Sequence, residues 1–136
     1  MSIIEIQNEI VANFELLDNW EDKYAYIIEQ GKTLSPMPEN HKTEDNLVKG
    51  CQSKVWFYAE KKDDKIIFEG DSDALIAKGL VAMLINVLSG QKAEEIATAD
   101  LFFLEKIGLK EQLSMTRANG LAAMIKQLKT YGVALQ

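Results

Sequence analysis

The chain is poor in the residues that most covalent and metal chemistry requires. Cys51 is its one cysteine and His41 its one histidine in 136 residues. A single cysteine excludes an intramolecular disulfide, and no cysteine metal cluster can be completed from one chain. Mechanisms that need a histidine pair are excluded as well. There are two prolines, Pro36 and Pro38, and no low-complexity run, so nothing in the composition marks disorder. Positive charge is also short. Fifteen Lys and Arg face 21 Asp and Glu, a net charge of -6, and such a surface repels phosphate backbones, so no nucleic-acid partner is expected. Long apolar runs are missing. Glu5, Gln7, Asn8 and Glu9 interrupt the first segment, and Ala74 to Leu88 contains Lys78 and Asn86. Neither reads as a signal peptide or a spanning helix. The expectation is a cytoplasmic protein without membrane contact, folded as a single domain over residues 1–136.

The chain is 47% hydrophobic, enough for one core. Ile3, Ile6, Ile10, Val11, Phe14 and Leu17 recur at helical spacing. Asp18 or Asn19 caps a second helix, which carries Trp20, Tyr24, Ile27 and Ile28 and stops near Gly31. The prolines prevent regular helix between Lys32 and Asn46. The period then changes. Lys54 to Glu60 is rich in β-branched and aromatic residues and reads as a strand, and Ile66–Phe68, ended by Gly70, reads as a second. The polar turn Lys62-Asp63-Asp64-Lys65 joins them into a hairpin, to which Leu47-Val48 adds a short third strand. Asp71 or Ser72 caps a buried helix running to Ser89. Two short helical pieces follow, around Ala93–Ala97 and Leu101–Ile107. A last helix starts near Ser114 or Thr116 and stops before Gly132. Helices, a small antiparallel sheet, then helices make an α+β fold.

Cys51 is the first candidate for chemistry. Gly50 allows positive φ, so a tight loop can hold the thiol at its tip. Lys49 and Lys54 flank it and are expected to favour thiolate. The bland alternative is a cysteine acting as a small core hydrophobe. His41, in a polar loop, is expected to be solvated, with no spacing that pairs it with Cys51. Gly70-Asp71-Ser72-Asp73 reads most simply as a helix start, Asp73 complementing the dipole. Gly79 inside a helix points to close packing rather than a phosphate loop. Arg117 sits in the first turn of the last helix, where the dipole disfavours a cation. It is either a surface residue whose stem covers the core or an anchor for a carboxylate.

Four motifs, in order across nearly the whole chain, resemble the SufE family of cysteine-desulfuration proteins. They are Asn19-Trp20-Glu21-Asp22-Lys23-Tyr24 with Tyr26-Ile27-Ile28; Val48-Lys49-Gly50-Cys51-Gln52-Ser53 with Val55-Trp56; Gly70-Asp71-Ser72-Asp73-Ala74 with Lys78-Gly79-Leu80; and Leu113-Ser114 with Arg117, Gly120 and Leu121. The resemblance implies the SufE/IscU-like fold, a small antiparallel sheet packed against several helices. It implies a sulfur carrier rather than an enzyme. Cys51 would take persulfide sulfur from a cysteine desulfurase of the SufS type, stimulate it, and pass the sulfur to an iron–sulfur cluster scaffold complex. Gly50, Gln52, Ser53, Asp73 and Arg117 become the loop and partner-binding candidates. No metal or cofactor is implied in this chain, since pyridoxal phosphate belongs to the partner desulfurase. A homodimer is left open. A cluster scaffold fits poorly, because clusters need several thiolate ligands. A docking-only activator and a single-cysteine redox sensor are the remaining rivals.

Overall fold

The structure, a computed structural model, describes residues 1–136. Helix α1 spans Ile3–Glu15 and opens with a capping box: Ser2 Oγ accepts from the Glu5 amide while the Glu5 carboxylate accepts from the Ser2 amide. Asn19 caps α2, Trp20–Gly31, by accepting from the Asp22 amide at 2.8 Å. Two single 3-10 turns, Glu39–His41 and Glu44–Asn46, follow the prolines. Strands β1, Val55–Lys62, and β2, Lys65–Ser72, pair antiparallel from Val55↔Ser72 to Lys62↔Lys65. Asp63 and Asp64 turn the hairpin with φ of 50° and 66°, the left-handed pair that a two-residue connection demands.

Alternation sets the faces. Val55, Phe57, Ile66 and Phe68 are buried, and α3, Leu75–Leu88, lies against that inner face with Leu80, Val81, Leu84, Val87 and Leu88 buried. Helix α2 packs on the far side of α3. Gly79 makes this possible: a β-carbon there would overlap the Ile27 carbonyl. The rest of the chain is strand β3, Gln91–Lys92, helices α4, Ala93–Ala97, α5, Phe103–Lys106, and α6, Leu109–Gln112, and the long α7, Met115–Ala134. Gln7 is fully buried. Its amide bonds the Asp100 carbonyl at 3.0 Å and the Phe103 amide at 3.1 Å, joining α1 to the start of α5. Seven helices and a three-stranded antiparallel sheet, ordered β1-β2-β3, make the fold α+β. No helix is long and apolar enough to cross a membrane.

Four expectations are corrected. Gly70 does not end β2; it lies inside the strand, where a β-carbon would come within 2.7 Å of Val81 Cγ1 on α3. Gly132 likewise lies inside α7, pressed on the backbone of α4. Both glycines serve close approach, not termination. The third strand is β3, paired with β2, whereas Leu47 contributes only one isolated bridge to Trp56. Asp71 and Ser72 do not cap α3. They belong to β2, and the N-cap position is Ala74, whose side chain makes no cap bond.

Candidate functional site

The segment Leu47–Lys54 crosses from the 3-10 turns into β1, and both its ends are fixed. At the entry, Asn46 is held from three directions. Its carbonyl accepts from Gln127 at 3.2 Å, its Oδ1 from Tyr131 Oη at 3.2 Å, and its Nδ2 donates to the His41 carbonyl at 2.8 Å. The Val48 amide then bonds the Val55 carbonyl at 2.8 Å, and Val48 is buried. At the exit, the Lys54 amide donates to Asp73 Oδ1 at 3.0 Å. The Lys54 carbonyl accepts from Ser72 Oγ at 2.8 Å and from the Asp73 amide at 3.2 Å. Between these posts, residues 49–53 take part in no backbone hydrogen bond.

Gly50 adopts φ +99°, as a tight loop requires, and its position faces Ala123 of α7. Cys51 is half-buried against Gly120 of the same helix. Its thiol donates to the Gly120 carbonyl at 3.4 Å, the one hydrogen bond that holds the middle of the loop down. Beside the sulfur is a cavity of about 110 Å³ whose walls include Val55, Ile76, Leu80 and Met124. Gln52, Ser53 and Arg117 line it too. The Arg117 guanidinium is exposed and joins none of the protein's ion pairs. Of the candidates, then, Cys51, Gln52, Ser53 and Arg117 share one cavity. Gly50 shapes the loop behind it, and Asp73 anchors the loop's exit.

The electrostatics differ from the expectation. Burial pushes the Cys51 thiol above its ordinary pKa, and no lysine offsets it. Lys49 lines a different groove with Lys126, and Lys54 is exposed. Flanking charges in the sequence are therefore not neighbours of the sulfur, and at neutral pH the resting thiol is protonated. His41 is also corrected. It stacks on Tyr58 at 3.9 Å and its Nδ1 lies 2.6 Å from Glu69 Oε1, on the outer face of the sheet. Next to it Lys42 reaches Asp71 Oδ2 at 2.8 Å. Burial works to raise the Asp71 pKa, but Lys42, the Ser72 amide and Lys78 together hold that carboxyl below its usual range. The Asp71-Ser72-Asp73 run thus braces the loop exit and the sheet.

Asn46, Ser72 and Gly120 are the participants that residue-level reading missed. Gly120 stood among the motif residues without a role. Asn46 carried no signal, since its partners lie 81 and 85 residues away on α7.

Comparison with known proteins follows the same lines. Residues 8–132 match the SufE family model, described as an Fe-S metabolism associated domain. An uncharacterised SufE-like protein of Rhizobium meliloti is 46% identical over 128 residues, covering 90% of this chain and 91% of that one. An uncharacterised SufE-like protein of Rhizobium etli is 45% identical over 127 residues, covering 90% and 86%. The solution structure of a hypothetical protein from Thermus thermophilus superposes with a TM-score of 0.78 at 21% identity, covering 95% of this chain and 94% of that one. The last similarity is one of fold.

Proposed function

This chain belongs to the SufE family, associated with Fe-S metabolism, and on that premise we propose that it is a sulfur carrier whose Cys51 accepts persulfide sulfur from a cysteine desulfurase of the SufS type. The observation that carries the reading is the loop itself. A lone cysteine sits on a segment pinned at Asn46 and Lys54, with a single thiol hydrogen bond between and a cavity beside it.

The chemistry follows thiol–disulfide exchange. Cys51, as thiolate, attacks the outer sulfur of the enzyme persulfide. A new S–S bond forms at Cys51, the bond between the enzyme's sulfur and the sulfane sulfur breaks, and its electron pair leaves on the desulfurase thiolate. Charge and atoms balance without an added oxidant. In the sheltered position burial favours the neutral thiol, so the attacking anion forms when the loop swings outward. Deprotonation also removes the bond to Gly120, leaving anion against carbonyl oxygen. Docking that binds the outward loop more tightly shifts the equilibrium toward the reactive form.

After transfer the same cavity can receive the persulfide. Its 110 Å³ exceeds the roughly 10–15 Å³ that a single water-sized probe needs, so one added sulfur fits. Apolar walls there keep reductants and peroxide from a group that oxidises readily. Arg117 at the cavity holds the persulfide anion or engages the partner, while Gln52 and Ser53 offer polar contacts on either side of the exchange. Asp73 keeps the loop exit in place. A downstream iron–sulfur scaffold complex then takes the sulfur, in the cytoplasm. Pyridoxal phosphate stays with the desulfurase, and this chain, one domain over residues 1–136, stimulates that enzyme by clearing its persulfide.

The test is transfer from labelled cysteine. With a pyridoxal-phosphate-dependent desulfurase, the wild type gains reductant-labile label on Cys51. Cys51→Ser folds normally, because the thiol contributes little packing, and gains none. Label on the folded serine variant would falsify the assignment. Stimulation that survives in that variant would make the protein a docking activator instead.

A further inference from the structure

The Cys51 loop and α7 carry a charge opposite to that of the whole chain. No Asp or Glu occurs from Asn46 to Ala59 or from Gln112 to Gln136. Those two stretches hold Lys49, Lys54, Arg117, Lys126 and Lys129, in a protein of net charge -6. Folding brings the stretches together, with Gly50 against Ala123 and Cys51 against Gly120. None of the five cations is in an ion pair. Unpaired charge of one sign, with no carboxylate in either stretch to offset it, sets a local field that the net charge hides.

The field has a shape to act on. Lys49 and Lys126 line one open groove of about 430 Å³ between the 45–49 segment and α7, with Tyr131 and Ala123 in its walls and Asp45 as its sole carboxylate. Ala123 also supports Gly50, so the groove ends directly behind the cysteine loop. Two uncovered apolar side chains flank cavity-lining residues in the sequence. Leu75 and Met115, 68% and 81% exposed, adjoin the cavity residues Ala74 and Thr116.

We propose that this groove docks an acidic surface segment of the persulfide-donating enzyme, its carboxylates meeting Lys49 and Lys126. The inference rests on the sulfur-carrier reading and names the chemistry of the partner's surface. The arrangement separates holding from reacting. Lys126 grips from α7, which need not move, and Lys49 from the residue next to the pinned Val48, while residues 50–53 carry the sulfur into a second active site. A folded acidic segment brings several carboxylates and excludes water from the lysines. A single small anion would meet only exposed, hydrated ammonium groups, where pairing is weak. A polyphosphate longer than the groove would run onto the acidic remainder of the protein.

The experiment measures binding and transfer separately. Cys51→Ser, which cannot react, is titrated with a pyridoxal-phosphate-dependent cysteine desulfurase, alone and combined with Lys49→Glu, Lys126→Glu or Lys61→Glu. Lys61 is exposed at the hairpin end of β1 and gives the same charge change away from the groove. Circular dichroism checks that each variant folds. The expected result is a Kd raised about tenfold by Lys49→Glu and by Lys126→Glu, with a shallower salt dependence, and changed less than about twofold by Lys61→Glu. In the Cys51 background the same two reversals raise KM for the carrier and leave kcat nearly unchanged. Binding that tolerates both reversals within about twofold overturns the docking proposal while leaving sulfur transfer to Cys51 standing. A wild type that neither binds the desulfurase nor accepts sulfur overturns both readings together. Binding of a duplex oligonucleotide lost in Lys126→Glu reassigns the face to a polyphosphate and likewise overturns it.

Discussion

At the seam between α2 and α3, a β-carbon on Gly79 would overlap the Ile27 carbonyl and stand 2.6 Å from its Cγ2. At the contact between the Cys51 loop and α7, one on Gly120 would stand 3.4 Å from the cysteine sulfur, and one on Gly50 would stand 3.5 Å from Ala123. Both seams use glycine to bring chain segments together, but only the first leaves no room. Backbone pressed on backbone cannot yield, and α3 carries the sheet on its other face. The second contact is ordinary van der Waals distance plus one weak thiol hydrogen bond. It can part without disturbing the core. The molecule therefore combines a fixed platform with one releasable contact, and the releasable one holds the only thiol.

Gly79→Ala attacks the fixed seam. It forces α2 away from α3 and should cost about 3 kcal/mol or more, read as a lowered urea midpoint at constant m. A loss below about 1 kcal/mol would show that the seam yields and would remove the contrast. Asp73→Ala attacks a post rather than the platform. It leaves the Lys54 amide without its partner at an exposed site, with an expected cost of at most about 1 kcal/mol. Hydrogen exchange should quicken at Lys54 and stay slow in β2. Gly120→Ala sharpens the comparison with the smallest effect on stability. Helix propensity returns about 1 kcal/mol, and the added methyl meets the sulfur at ordinary contact distance. Stability should stay at or up to about 1 kcal/mol above wild type, with Cys51 alkylating no faster, since the Gly120 carbonyl still accepts from the thiol.

The thiol's raised pKa gives that contact a pH dependence. A proton held more tightly in the sheltered form means that sheltering is complete below the ordinary thiol range. It is lost as pH rises through the folded value. Alkylation of the resting protein should therefore reach its midpoint at higher pH than an unstructured Cys51 peptide. A midpoint at or below the peptide's would show that a cation reaches the sulfur after all.

Much of this architecture was legible from periodicity. Helix α4 falls on Ala93–Ala97 as read, and the hairpin turn lies between Lys62 and Lys65. The positive φ of Gly50 was legible because it depends on its own few residues. The failures share one cause. Gly70 and Gly132 read as stops because local pattern cannot distinguish a glycine that ends an element from one that lets another element approach. Lys49 and Lys54 read as activators because adjacency in sequence was taken for adjacency in space. His41 read as solvated because Tyr58 and Glu69, which cover it, lie on the two strands that follow. Asn46, whose anchors are on α7, was invisible for the same reason.

The central claim is that the thiol on the releasable contact receives sulfur. Incubation with a cysteine desulfurase and cysteine, followed by intact-mass and peptide analysis without reductant, tests it directly. The account predicts the mass of one added sulfur atom per chain, located on the peptide containing Cys51 and removed by reductant. An unchanged mass under conditions where the desulfurase itself carries persulfide would contradict it.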